Sequence, residues 1–235
     1  MNKIDRFVVP APAPVVLPVV GSDLGFPVRR VYCVGRNYVA HIREMGGDEA
    51  RDPPVFFQKP ADSIVHDGAT IPYPSLSQNY HHELELVVAL KSGGRDIPAD
   101  KALDHVYGYG IGLDMTRRDL QKRLSDAGLP WEDSKSFDHS CPCGPLHPVE
   151  EVGHVSSGAI RLTVNGETRQ DSDVSLLIWK IPEIIANLSQ AYELFPGDII
   201  LTGTPHGVGP VQAGDVLVGT IDKLGSLTVR IGPQR

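Results

Sequence analysis

Hydrophobic and polar residues alternate along much of the chain, and elsewhere the hydrophobic ones form short runs, which is typical of a fold built mainly from strands. The pattern predicts strands at 31–34 and 80–90, and two or three more between 197 and 231. The dipeptide Asn165-Gly166 separates two alternating segments and predicts a hairpin. The sequence contains 24 Gly and 20 Pro, so frequent turns are expected between these strands.

Two segments have the spacing of helices. The first follows a glycine-rich strand. Thr116 and Asp119 have the spacing of a capping box at its start, and Gly128 and Pro130 predict its end. The second has Pro182 in its first turn, followed by apolar residues at helical spacing. Because strands outnumber helices, we predict an α+β fold that is mostly β.

The chain has 235 residues and shows no internal repeat or clear linker, so we expect a single catalytic domain from 31 to 235. The preceding segment, 1–30, is apolar but is broken by prolines. It fits neither a signal peptide nor a membrane span. We expect it to be a mobile, extended arm that lies on the body of the protein or on a partner subunit.

Charge and cysteine content argue against several classes of protein. The net charge is −7 at pH 7 and no run of Lys and Arg occurs, so no binding to nucleic acids or membranes is expected. Cys33, Cys141 and Cys143 form no disulfide pattern, and a metal site at the last two lacks a second Cys or His pair. We therefore expect a reduced, cytoplasmic protein.

Two carboxylates occur in the predicted strand 80–90. Glu83 and Glu85 are two residues apart and share one face, which continues into apolar residues. Adjacent anions on a buried face need protons or a cation, although a solvated strand end is the alternative. Asp114 ends another predicted strand and could join them, unless it only caps the following helix. Three carboxylates would suit Mg²⁺, Mn²⁺ or Ca²⁺.

Seven ordered motifs between Val31 and Ile231 resemble the fumarylacetoacetate hydrolase family. They are CVGRNYVAHIREMG, FFQKPADSIV, HHELELVVAL, GYGIGLDMTRRDLQ, KSFDHSCPCGP, VNGETRQDSD and GDIILTGTPHGVGPVQAGD. The resemblance implies a mixed β-sandwich roll of that family's C-terminal-domain type and a homodimer. It also implies one Mg²⁺ or Mn²⁺ per subunit, held by Glu83, Glu85 and Asp114.

The same resemblance implies cleavage of a carbon–carbon bond in a 1,3-dicarbonyl acid. The segments GRNYVAHIREMG, PPVFFQKPAD and HHELELVVALKSGG are most similar to members that split fumarylpyruvate into fumarate and pyruvate during gentisate degradation. The alternatives are an acylpyruvase or oxaloacetate decarboxylase, a 2-hydroxydienedioate isomerase, and a non-catalytic, metal-stabilised binding protein. His82 stands where the wider family usually has an aromatic residue, and we expect it to stack or support rather than bind metal.

The catalytic residues predicted for this reaction are His41, Glu44 and Lys135. His41 titrates near neutral pH and Glu44 lies three residues later, so a helix would place a general base beside a carboxylate that orients it. An exposed surface pair is the alternative. Lys135 matches a family lysine near the metal, which would stabilise the oxyanion or balance the acids.

Four further residues are predicted to bind substrate. Arg118 and Gln121 are three residues apart in the helix after Asp114 and would hold substrate oxygens, since arginine matches a carboxylate well. Thr204 would hold the pyruvoyl carboxylate from a glycine-rich turn. Lys59 would contact substrate from the opposite wall. For Arg118, Gln121 and Lys59, a solvated surface position is the alternative, and the glycine-rich turn of Thr204 is a common feature of loops.

The segment 35–47 carries the predicted base and is bounded by glycines. We expect it to hinge as a lid over bound substrate.

Overall fold

The computed structural model describes residues 7–40 and 53–234. Its strands are β1 Val15–Leu17, β2 Phe26–Val28, β3 Val31–Gly35, β4 Val55–Lys59, β5 Ile64–His66, β6 Thr70–Tyr73, β7 Tyr80–His82, β8 Leu84–Leu90, β9 Val106–Leu113, β10 Thr116–Arg117, β11 Cys141–Cys143, β12 His147–Pro148, β13 Ala159–Val164, β14 Glu167–Asp173, β15 Ile199–Leu201, β16 Gly209–Pro210, β17 Val216–Ile221 and β18 Gly225–Gln234. Its α-helices are α1 Arg118–Asp126, α2 Val149–Val152 and α3 Ile181–Ala191. Short 3₁₀ helices cover Ala61–Ser63, Ala99–His105, Glu132–Ser134 and Val174–Leu176.

Two large mixed sheets form the body of the protein. The larger has the strand order β4-β3-β15-β8-β9-β11-β5, with β12 paired to β9, and the smaller has the order β14-β13-β17-β18-β6. In the larger sheet β15 runs parallel to β3 and β11 parallel to β5, while the other pairs are antiparallel. The predicted fold, α+β and mostly β, is therefore confirmed.

Strand β8 separates two hydrophobic cores. All its residues are buried, and Leu84, Leu86, Val88 and Leu90 face the main core, which also contains Ile160 from the smaller sheet. The other face contributes two further residues to a second core. The alternation expected along this strand is thus confirmed, and both faces of the larger sheet are covered.

The N-terminal segment contributes to the second core. Strands β1 and β2 form an antiparallel hairpin whose buried residues, among them Leu17, Phe26 and Val28, pack with Val31 and Cys33 of the larger sheet's edge region. Residues 7–14 are exposed. Apolar burial therefore holds 15–28 on the body.

Several local predictions can be compared with the structure. The hairpin at Asn165-Gly166 is confirmed, because both residues have the positive φ angles, 53° and 83°, of a tight β-turn. Helix α3 has Pro182 in its first turn, as predicted. The capping box at Thr116 is wrong: Thr116 lies in β10, and the backbone N–H of Arg118 donates instead to the carbonyl of Asn79 at 2.9 Å.

No helix within the described residues is long and apolar enough to cross a membrane.

Candidate active site

Three carboxylates converge beside the larger sheet. Glu83 lies between β7 and β8, Glu85 lies in β8, and Asp114 directly follows β9. The antiparallel register pairs Leu84 with Leu113, and the Asp114 N–H donates to the Glu83 carbonyl at 2.8 Å. One oxygen from each acid lies within 4.8 Å of the others, and all three residues are buried, with at most 5% of their surface exposed.

The charges in this cluster perturb its members. Burial raises the pKa of Glu85 well above its usual value, and the charges of Asp114 and Glu83 raise it further. The backbone N–H of Gly203 donates to Oε2 of Glu85 at 2.7 Å, which partly offsets this effect. Burial and the repulsion from the two neighbouring acids both oppose ionisation of Glu85, so a cation at this place would be strongly favoured.

Lys135 reaches the acids as predicted. Its Nζ donates to Glu83 at 2.8 Å, to Asp114 at 2.6 Å and to the hydroxyl of Thr116 at 2.7 Å. Burial lowers the pKa of Lys135, but the charges of Asp114 and Glu83 outweigh it and leave the pKa above its usual value. The ammonium group is therefore charged, and with all three of its N–H donors engaged it balances the negative charge of the acids.

Lys59 is fully buried on the far side of Asp114. Its Nζ lies 2.8 Å from Oδ1 of Asp114 and donates to the backbone carbonyls of Met115, at 3.1 Å, and Lys135. It does not line the cavity described below. Its contacts support a role in fixing the segments that carry Asp114 and Lys135.

Arg118 and Gln121 lie one helical turn apart in α1 and face the acids. Arg118 donates through Nη2 to Glu83 and through Nη1 to Oε1 of Gln121 at 2.5 Å. The Arg118 side chain is only 11% exposed. The structure thus brings both predicted substrate-binding residues of this helix to the acid cluster.

Thr204 also lines the site, in the loop after β15. The side chain of Gln170 donates to its hydroxyl at 2.8 Å, while the Gln170 carbonyl oxygen accepts the N–H of Leu84 at 3.0 Å. His82 lies 3.3 Å from the same oxygen and is buried, and burial lowers its pKa to about 4. His82 therefore belongs to a supporting layer and not to the acid cluster.

His81 is a site residue that the sequence analysis missed. It lines the cavity, and its Nδ1 accepts from Nε of Arg118 at 3.4 Å. Burial, then the charge of Arg118, lowers its pKa to about 4, so the ring is neutral. The strand alternation that pairs Glu83 with Glu85 also places His81 on that face.

A cavity of about 560 Å³ opens above the carboxylates. One wall is apolar and the other is polar, where helix α1 faces it. The apolar residues are Val34, Val55, Phe57 and Trp131, and the polar ones include Arg118, Gln121, Lys122 and Ser125. Phe57 and Trp131 pack edge to face with ring centroids 5.1 Å apart. Such a cavity suits a small acid with an unsaturated or short apolar chain.

The two remaining catalytic predictions, His41 and Glu44, lie outside the described residues, as does most of the predicted lid 35–47.

The donors of the acid cluster fit a divalent metal ion. Glu83, Glu85 and Asp114 supply only oxygen ligands, which Mg²⁺ and Mn²⁺ prefer. A cation between them would remove the repulsion that raises the pKa of Glu85.

Fold and site together define a metal-binding enzyme of the mixed β-sandwich type, with a keto-acid-sized cavity. Residues 30–232 match the family "Fumarylacetoacetate (FAA) hydrolase C-terminal", and the chain belongs to this family of enzymes.

Three relatives illustrate how similar the chain is to known members. A fumarylpyruvate hydrolase of Ralstonia sp is 44% identical over 186 residues, which is 79% of this chain and 96% of the relative. The mitochondrial oxaloacetate tautomerase of Homo sapiens is 42% identical over 203 residues, 86% of this chain and 91% of the relative. A crystal structure of fumarylpyruvate hydrolase from Pseudomonas aeruginosa, in complex with Mn²⁺ and pyruvate, has a TM-score of 0.95 and 53% identity, and covers 97% of this chain and 100% of that one.

Proposed function

We propose that the protein is a metal-dependent hydrolase that converts fumarylpyruvate and water to fumarate and pyruvate. The observation that carries this proposal is the convergence of Glu83, Glu85 and Asp114 with Lys135 and Arg118 at the inner end of one cavity. The Pseudomonas aeruginosa relative, solved with Mn²⁺ and pyruvate, supports both the metal and the product.

The three carboxylates would hold one Mg²⁺ or Mn²⁺ ion. When bound, the ion supplies positive charge that stabilises the enolate of the departing pyruvate.

The chain's own residues supply the remaining chemistry. His41 takes a proton from the attacking water, and Glu44 orients the imidazole and stabilises its cation. Lys135, whose three N–H donors are engaged by Glu83, Asp114 and Thr116, stabilises through its positive charge the oxyanion that forms when water adds to the ketone next to the fumaryl group. The carbon–carbon bond then breaks, and its electron pair passes to the pyruvate enolate, which takes up a proton.

Arg118, Gln121 and Thr204 orient the substrate. The planar donors of Arg118 suit a carboxylate, and the Thr204 hydroxyl lies in the cavity wall. For Lys59, the buried contacts with Asp114 and two carbonyls support a positioning role more than the predicted contact with substrate.

The direct test is loss of the ultraviolet absorbance of the conjugated substrate on mixing with Mn²⁺-loaded enzyme. We expect fumarylpyruvate to exceed acetylpyruvate in kcat/KM by roughly ten- to a thousandfold, the range of one or two charge-assisted contacts with the distal carboxylate. Equal values for the two would indicate a general acylpyruvase. Tight binding without turnover would indicate a non-catalytic protein.

A second candidate function is the tautomerisation of oxaloacetate, the activity in the name of the human relative that is 42% identical. It uses the same enolate chemistry of a 2-keto acid. The same assays with oxaloacetate decide between the two: a higher kcat/KM for oxaloacetate than for fumarylpyruvate would favour this candidate.

We further propose that residues 31–235 act as one catalytic domain in a cytoplasmic homodimer that serves gentisate degradation, with 1–30 as its N-terminal segment. The three free, buried cysteines are compatible with a reducing compartment. Light scattering should give twice the chain mass of 25.5 kDa.

A further inference from the structure

Arg118 is held by three side chains that approach it from different directions. Its Nη2 donates to Glu83, its Nη1 to Gln121 at 2.5 Å, and its Nε to Nδ1 of His81 at 3.4 Å. A guanidinium group has five N–H donors fixed in one plane, so two have no partner among residues 7–40 and 53–234 and can reach substrate oxygens. The residues that fix this plane decide where those two donors point.

Asn79 fixes the hydrogen-bonding state of His81. The side-chain oxygen of Asn79 lies 2.9 Å from Nε2 of His81. Because this oxygen can only accept, Nε2 carries the proton and Nδ1 presents its lone pair to Arg118. The backbone carbonyl of Asn79 also accepts the N–H of Arg118 at 2.9 Å. A single residue therefore holds the Arg118 backbone directly and its side chain through His81.

Strand pairing and hydrogen bonds hold both His81 and Asn79 in place. His81 lies in the central strand of a three-stranded sheet, where it pairs with Thr116 of β10 and Pro210 of β16. Ahead of Asn79, Ser77 and the backbone N–H of Gln78 donate to the carboxylate of Asp119 in α1, at 2.7 and 2.8 Å. The loop and the helix are thus tied together on both sides of Arg118.

We propose that His81 is a positioning residue that holds the guanidinium plane of Arg118 toward the substrate, with Asn79 setting its tautomer. The inference rests on the proposed function for its substrate. The side chain of residue 81 must accept a hydrogen bond from Arg118 without carrying a charge. A carboxylate would add a fourth anion beside Glu83 and Glu85, and a cation would repel Arg118.

Two near-isosteric variants test the role of the acceptor atom. In His81→Asn, the side-chain oxygen can take the position of Nδ1 and accept from Arg118. In His81→Gln, the longer side chain carries its amide to the position of Nε2 instead. In kcat/KM for fumarylpyruvate, His81→Gln should lose about 10- to 100-fold, the value of one hydrogen bond to a charged group. His81→Asn should retain most of the activity. Equal losses in the two variants would overturn the proposal.

A double-mutant cycle with Arg118→Met tests whether His81 acts through Arg118. In the Arg118→Met background, His81→Gln should cause no further loss of kcat/KM. Losses that multiply would show that His81 acts independently and would overturn the proposal.

Binding of oxalate, a planar dicarboxylate, to the Mn²⁺-loaded protein separates this proposal from the proposed function, because it needs no turnover. Calorimetry should show weaker oxalate binding in His81→Gln but not in His81→Asn. This result would support the positioning role even if the wild-type protein failed to cleave fumarylpyruvate. If the affinity for Mn²⁺ alone falls as much as kcat/KM, His81 acts through Glu83 and the proposal is wrong.

Discussion

Asp114 and Glu85 lie side by side in the acid cluster but have different partners. Both oxygens of Asp114 contact lysines, Lys59 at 2.8 Å and Lys135 at 2.6 Å, whereas Glu85 accepts from the backbone N–H of Gly203. Removing the charge of Asp114 weakens two buried ion pairs, and breaking such a pair costs about 3–5 kcal/mol. Removing the charge of Glu85 relieves repulsion. In metal-free protein, Asp114→Asn should therefore lower the free energy of unfolding and Glu85→Gln should raise it.

Urea denaturation in the presence of a chelator measures both variants. Both variants should lose Mn²⁺ binding and turnover. Only their opposite changes in stability distinguish Asp114, which is paired with lysines, from Glu85, which is repelled by the other acids. A change of the same sign in both would contradict this assignment of partners.

The stability of the metal-free protein should also depend on pH through Glu85. Its pKa is raised in the folded state, so the folded protein binds this proton more tightly than the unfolded chain. The free energy of unfolding therefore falls as pH rises from the ordinary carboxyl value of 4.5 through the raised pKa. The glutamine in Glu85→Gln cannot ionise. The free energy of unfolding of this variant should therefore exceed that of the wild type by an amount that grows between pH 5 and pH 8. A constant difference over this range would show that ionisation of Glu85 is not its cause.

His41 should contribute to the chemical step and not to binding. His41→Ala should lower kcat by about 10²- to 10⁴-fold, the usual contribution of a general base. Mn²⁺ affinity, measured by electron paramagnetic resonance, should not change, because the proposed ligands are three other residues. Glu44→Gln is the matched variant that keeps the side-chain length and removes the charge. A loss confined to KM in His41→Ala would make His41 a binding residue.

For single residues, the sequence predicted those whose position in the site follows from a local pattern. Glu83, Glu85 and Asp114 converge as expected, and the same alternation would have identified His81 in place of His82. The contacts of Lys59 could not be predicted. Its carbonyl partners are 56 and 76 residues away along the chain, and only the fold brings them together.

At the scale of elements, the N-terminal hairpin of β1 and β2 places a buried residue next to an exposed one. Leu17 in β1 is fully buried in the second core, and its neighbour Val16 is 37% exposed. Leu17→Ala should lower the free energy of unfolding by about 2–5 kcal/mol, the range for a buried leucine. Val16→Ala should change it by no more than about 0.5 kcal/mol. Chemical denaturation measures both, and equal effects would show that the hairpin is not docked in solution.

The start of helix α1 shows why local signals can fail. Thr116 and Asp119 have the spacing of a capping box, yet Asp119 binds the loop before β7 and Asn79 supplies the cap. Long-range partners therefore replace the local ones. The end of the same helix was predicted, because Gly128 has a φ of 64° that glycine adopts without strain.

For the whole molecule, metal binding should be visible as stability. A ligand at 100 times its dissociation constant adds about 2.7 kcal/mol to the free energy of unfolding. In a chain of this size Tm should rise by about 5–11 °C. Calorimetry with and without Mn²⁺ measures the shift, and Glu83→Gln is the control that should abolish it. An equal rise in the variant would place the ion elsewhere.

The class of fold was predictable, but the order of its strands was not. Alternation and turn residues identify each strand from its own sequence. The insertion of β15 between β3 and β8 joins segments more than a hundred residues apart, which no local pattern encodes. In this protein, the shape of the cavity depends on such pairings.

The three buried cysteines allow the frequency of local opening in this protein to be measured. Cys33, Cys141 and Cys143 are all free, all at most 1% exposed, and they line the second core beneath the larger sheet. A thiol reagent can reach them only when that part of the sheet separates, so the rate of labelling counts openings that no activity assay would register. Labelling that slows when Mn²⁺ is added would show that an ion bound beside β8 and β9 restrains local opening of the second core.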